Sequence, residues 1–206
     1  MQKEITRSLP ICRLTARFAR KAPVAVLLRR GPSRWVQLIT WHLDNDRLEP
    51  GQWIKARIYE DLCDLSEDGE LFVYSARKGT AWTTSHRDRV GETWTTISRP
   101  PFFSALALWP NGCWDGGGMF TAQRSVTLGL PTPRAHPDYP ATGIDVHGYP
   151  MPKYQPQSLS TLIALRDGWQ PLTCSTEELQ GYYWRLQSPL EKLSCKGSVR
   201  ILRTTT

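Results

Sequence analysis

Three of the four histidines stand two residues from an aspartate: His86 and Asp88, His136 and Asp138, Asp145 and His147. Residues i and i+2 of an extended segment point the same way, so each pair offers an imidazole and a carboxylate to one point. Two converging pairs would hold a metal ion and activate a bound water. His136, Asp138, Asp145 and His147, close together in the chain, are the set from which we expect that chemistry, and with it a metal-assisted hydrolase as the alternative activity. Such pairs also arise by chance in polar loops. The chain has no Gly-x-Ser-x-Gly elbow, no His-Glu-x-x-His helix and no dinucleotide fingerprint. Glu60-Asp61 and Glu67-Asp68 are adjacent in sequence, and a strand sends neighbours to opposite faces, so neither makes an acid–base couple. No catalytic residue and no cofactor is expected.

Three stretches carry binding chemistry instead. In "WDGGGMF", Gly116, Gly117 and Gly118 interrupt a strand position, which marks a bulge or a close approach by another backbone or a ligand. The expectation is a floor for a bound group, edged by Trp114 and Asp115, or a bulge that relieves a crowded sheet. In "RRGPSR", Arg29, Arg30 and Arg34 surround a Gly-Pro turn and offer forked donors to a phosphate or carboxylate. Of nine tryptophans, Trp35, Trp41, Trp53, Trp82 and Trp94 fall in strand positions and are expected in the core. Trp109 and Trp114 lie near turns, where an exposed indole would stack on a sugar, a peptide or a base.

The elements that must position these groups read as short strands. Val24 to Leu28 is continuously apolar, "RWVQLITWHL" closes on Asp44-Asn45-Asp46, and Pro50-Gly51 predicts a further turn. In "CDLSEDGELFVYSARKG" the strand after Asp68-Gly69 places Leu71, Val73 and Ser75 on one face and Phe72, Tyr74 and Ala76 on the other. A strand apolar on both faces must be covered on both. "LSEDG" and "LWPNG" recur 43 residues apart, aligning Leu65 with Leu108 and Gly69 with Gly112. With "TAWTTS" and "ETWTTISRPP" between them, the period holds about four strands.

On these residues, "DLSEDGELFVYSARKG" resembles the blade motif of TolB-like and WD-type β-propellers. The wider stretch over residues 22–125 resembles a bacterial group that brings no catalytic residues. The resemblance implies a mainly β fold of antiparallel, blade-like sheets, partial and propeller-like because only about two and a half blades are readable. Short N- and C-terminal helices complete the expectation.

Residues 1–34 hold nine basic side chains and one acidic, whereas the rest holds 17 basic and 18 acidic. The front end is cationic and the body neutral. Ile11, Leu14 and Phe18 recur at helical spacing opposite Arg13, Arg17 and Arg20, which predicts a basic amphipathic arm over 1–22, helical over 11–21 and stopped by Pro23. A blade-like domain over 23–130, a Pro-rich loop or linker over 131–157 and a small mixed α/β portion over 158–206 follow. In the last, "SLSTLIALRDGW" predicts a helix, "TEELQGYYWRL" another and "GSVRILR" a strand. Five cysteines without a Cys-x-x-Cys pair suit reduced thiols in a cytoplasmic protein, and no apolar run is long enough to span a membrane.

The function this supports is a non-catalytic binding or interaction module. Its face would lie around Gly116–Gly118 and the loop 86–91, and its arm would meet an acidic protein or other acidic macromolecule. Nucleic-acid binding through the arm is the further alternative. Open sheet edges suggest a homodimer.

Overall fold

The computed structural model describes residues 12–79, 90–112, 116–149, 158–171, 190–193 and 200–203. Its first sheet is an antiparallel up-and-down meander of β1 (Arg13–Phe18), β2 (Val24–Arg30), β3 (Trp35–His42) and β4 (Arg47–Lys55). The β3–β4 turn is made by its own polar side chains. Asp46 takes φ 54°, Asn45 Oδ1 accepts from the Arg47 N–H at 3.0 Å, and the Trp41 indole N–H donates to Asp46 Oδ1 at 2.7 Å.

The N-terminal helix is corrected to a strand. β1 pairs with β2 in continuous register, from Arg13 opposite Arg30 to Phe18 opposite Ala25. Leu14 and Phe18 are four apart, a spacing that shares one face of a strand as well as of a helix, and the β2 edge decides between them. The described basic residues of this segment are largely held by the protein itself. Arg17 donates to the main-chain carbonyls of Cys63 (2.9 Å) and Glu60 (2.7 Å), Arg20 and Lys21 both pair with Glu67, and Arg30 pairs with Glu60. Lys21 and Arg20 together hold the Glu67 carboxyl below its ordinary range.

Pro50-Gly51 is not a turn either: β4 runs through it with a register shift opposite Gln37 and Ile39. A proline is tolerated there because β4 is an edge strand. Gly51 serves a close approach, since a Cβ would run into the Pro101 carbonyl, which accepts from the Gln52 N–H at 3.0 Å.

The second sheet holds β5 (Arg57–Ile58), β6 (Asp64–Leu65), β7 (Phe72–Arg77), β8 (Thr93–Ser98) and β9 (Ala105–Pro110). β5 and β6 pair with the two ends of β7, and the 3-10 turn Glu60–Leu62 joins them, so together they stand in for one strand. The β6–β7 turn is the Ser-x-Asp-Gly stretch. Ser66 Oγ donates to Asp68 Oδ1 (2.6 Å) and accepts from the Leu71 N–H (2.9 Å), and Gly69 holds φ 80°. At the matching position Gly112 holds φ 65°, but there the chain leaves β9 for a different sheet. That third sheet pairs β10 (Gly118–Ala122) with β11 (Ser125–Leu128), and β12 (Asp145–Gly148) runs parallel to β11. A strand therefore lies inside the stretch expected as a loop.

The second sheet is the middle layer. Phe72, Tyr74 and Ala76 pack with Val26, Leu28, Val36 and Leu38 of the first sheet, whereas Leu71 and Val73 pack with Phe120, Val126 and Leu128 of the third. Both faces of β7 are covered, as its sequence requires. Cys63, in the first of these cores, is fully buried, and burial pushes its thiol up to about 12. Loops cover two outer edges: Pro101 meets β4, and His136 and Tyr139 exchange main-chain hydrogen bonds with Leu108 of β9.

Helix α1 (Leu159–Arg166) forms where the sequence predicts it. Ser158 Oγ accepts from the Thr161 N–H at 3.2 Å, and Gly168 at φ 81° closes the other end. There the Trp169 and Gly168 N–H groups donate to the Ala164 and Leu165 carbonyls, a Schellman cap. The strands β13 (Gln170–Pro171), β14 (Leu190–Leu193) and β15 (Arg200–Arg203) form an antiparallel sheet, β15 within the predicted final strand. The second predicted C-terminal helix lies outside the described residues. Among the described residues, no helix is long and apolar enough to cross a membrane.

Candidate functional site

Strand alternation separates the three arginines of the "RRGPSR" stretch. Arg30 turns toward the second sheet and pairs with Glu60 at 3.2 Å, whereas Arg29 turns outward, its guanidinium 5.5 Å from the Trp53 ring centre. Arg34 sits exposed in the turn. What gathers beside Arg29 is a pair of indoles. The β3–β4 register sets Trp35 opposite Lys55 and Gln37 opposite Trp53, and Arg29 lies opposite Gln37 on the other side. All five therefore share the outer face of the first sheet. Lys55 Nζ lies 5.9 Å from the Trp35 ring centre, so each indole carries a cation.

Trp35 and Trp53 are 42% and 46% exposed, which corrects their expected place in the core. The inward positions of their strands belong to Val36, Leu38 and Ile54. The signal was present: Gln37 shares its face with Trp35, and a glutamine there marks the wet side. Trp94 packs against the inner core as expected. Trp109 is 1% exposed, because β9 turns it toward the third sheet. Trp82 lies outside the described residues.

Gly31, Pro32 and Ser33 join Arg29, Trp35 and Trp53 around an open concavity of about 550 Å³. Gly31 and Trp35 flank the β2–β3 turn, just beyond the Arg30–Val36 pair, and a Cβ placed on Gly31 would meet nothing within 4 Å. The strand residues of this outer face include no aspartate or glutamate. Farther along it Phe18 and Trp41 lie 6.4 Å apart, ring centre to ring centre. The face can stack flat groups and attract negative charge.

The glycine stretch proves to be an internal joint. Gly116, Gly117 and Gly118 are buried. A Cβ on Gly116 would strike the Asn111 side chain, and one on Gly117 the Leu62 carbonyl. One on Gly118 would come within 2.9 Å of Leu128 and Val73. The Gly117 N–H donates to Thr95 Oγ1 at 2.8 Å. The close approach these glycines allow is thus made by the protein itself. Trp114, Asp115 and the pair His86 and Asp88 lie outside the described residues.

Each remaining His/Asp pair closes on itself. His147 Nε2 lies 2.7 Å from Asp145 Oδ2, which also accepts from Ser125 Oγ at 3.2 Å. The aspartate sits between serine and histidine, the wrong order for a histidine to activate the serine. The His136 ring lies beside Tyr139 and 3.8 Å from Asp138 Oδ2. Among the described residues, no three His, Cys, Asp or Glu side chains gather as a metal-holding set, so the two pairs do not converge.

One charged cluster was missed from sequence. Asp64, 1% exposed, takes both arms of Arg166 at 2.6 and 2.8 Å and accepts from the Phe120 N–H at 2.7 Å. Burial disfavours the Arg166 charge, but Asp64 and Asp167 outweigh it and raise its pKa above the ordinary arginine value. Every strong donor and acceptor in the cluster is engaged, so it clamps α1 to the middle and third sheets. The 102-residue separation of its members leaves no local signal. Set against protein-family models, curated proteins and solved structures, the chain finds no match.

Proposed function

We propose that the chain is a non-catalytic binding module, that its working face is the outer surface of the first sheet, and that its partner is acidic. The observation that carries this reading is the concavity over Gly31. There two exposed indoles, each with its own cation, stand among strand residues that include no carboxylate on this face. Exposed cations steer an acidic partner, and the indoles give the contact area and orientation. The internal pairing of Arg17, Arg20, Lys21 and Arg30 favours this face over the N-terminal segment as the acid-seeking surface.

Heparin chromatography tests the reading. Arg29→Gln combined with Lys55→Gln is expected to elute at clearly lower salt than the parent, because surface charge contacts are screened directly by salt. Lys3→Gln with Arg7→Gln is expected to shift elution less. Unchanged elution of the first variant contradicts the proposal.

A further inference from the structure

The outer face of the first sheet repeats one unit. An exposed indole has a cation against it: Trp35 with Lys55 at 5.9 Å, and Trp53 with Arg29 at 5.5 Å. Trp35 and Trp53 are diagonal neighbours across β3 and β4, a relation that sets side chains roughly 7–8 Å apart. Gln37 lies between Trp53 and Arg29 in their cross-strand row, and its amide N–H donates to the Gly51 carbonyl at 3.5 Å. Gly31, which lines the concavity with Trp35 and Trp53, leaves it open.

Resting on the reading above, we infer that the partner is a single-stranded nucleic acid. Two of its successive bases stack at Trp35 and Trp53, and its phosphates take Lys55 and Arg29. A single strand alternates a flat apolar group with a negative charge, and the face alternates their complements. Aromatic side chains on an open sheet face stack bases without regard to sequence, because every base has a π-face. The guanidinium of Arg29 is itself a plane on which a base can lie. A duplex hides its base faces and offers only phosphates, so it has no use for the indoles. A lipid surface would be met by apolar side chains that penetrate it, and the exposed Leu14, Phe18 and Leu48 elsewhere on this face make vesicles the necessary comparison. Here each of these two indoles is accompanied by a cation, which favours the strand.

The experiment is fluorescence anisotropy with a labelled oligothymidylate at low salt, against its duplex, heparin and vesicles of phosphatidylcholine with phosphatidylserine. The parent is expected to bind the single strand more tightly than the duplex. Trp35→Ala with Trp53→Ala is expected to weaken single-strand binding by about 10-fold or more while leaving heparin binding nearly unchanged. Gly31→Leu fills the concavity at a position where its Cβ touches nothing, so it is expected to keep the fold and lose the single strand. Arg29→Gln with Lys55→Gln is expected to flatten the salt slope by about 1.4, two phosphates' worth for a single strand.

Equal oligothymidylate binding by the tryptophan double variant overturns the inference. So does loss of binding on Lys3→Gln with Arg7→Gln alone, or tryptophan-dependent binding to vesicles but not to the strand. In these cases retained heparin binding through Arg29 and Lys55 leaves the acidic-partner reading standing. If heparin binding is also indifferent to Arg29 and Lys55, both fall.

Discussion

Gly112 and Gly117 hold similar positive φ values, 65° and 77°, in different surroundings. A Cβ on Gly112 meets nothing within 4 Å, whereas one on Gly117 runs into the Leu62 carbonyl and side chain. Gly112→Ala is expected to cost only the left-handed backbone penalty, about 1–2 kcal/mol. Gly117→Ala adds a clash with backbone that cannot yield cheaply, and is expected to lower stability well beyond that. Urea unfolding of the two variants makes the comparison, and equal losses would contradict the packed joint. The glycine run announced a close approach in sequence, and Asn111, which Gly116 meets, is a near neighbour in the chain, but Leu62, against which Gly117 packs, is a distant residue that no local pattern names. At Arg29 and Arg30 strand alternation could be read directly, and it sends one arginine to Trp53 and the other to Glu60.

At the scale of elements, α1 is held by the Asp64–Arg166 pair, in which Asp64 is almost wholly buried. Removing one partner strands a charge in a medium that solvates it poorly. Arg166→Met is therefore expected to cost about 3 kcal/mol, the low end for a buried pair because Arg166 keeps some exposure. Adding Asp64→Asn to that variant is expected to recover part of the loss, since the stranded carboxylate is gone. Thermal unfolding of the single and double variants checks both, and strictly additive losses would contradict the coupling. Helix α1 itself was legible because Ser158 and Gly168 mark its two ends. β1 was not legible: the even spacing of Leu14 and Phe18 suits either period, and only the β2 edge resolves it. Residue type alone assigns the tryptophans of β3 and β4 to the core. Alternation against Val36, Leu38 and Ile54 puts them outside.

The whole molecule, in its described part, has a middle sheet hidden on both sides. Phe72, Tyr74 and Ala76 face one neighbour, and Leu71 and Val73 face the other. That layering was the most legible feature, because β7 is apolar at nearly every position and one-sided burial could not accommodate it. It also dictates where binding can occur. With both sides of the middle sheet occupied, the outer face of the first sheet is the surface on which Trp35 and Trp53 stand free. Amide hydrogen exchange, followed by mass spectrometry with and without oligothymidylate, reads layering and face together. Peptides covering 71–77 are expected to exchange slowest in both conditions, opening only with global unfolding. Those covering 29–35 and 51–55 are expected to slow when the oligonucleotide is added. Fast exchange across 71–77, or slowing on the oligonucleotide confined to residues 1–11 or 113–118, would contradict the account.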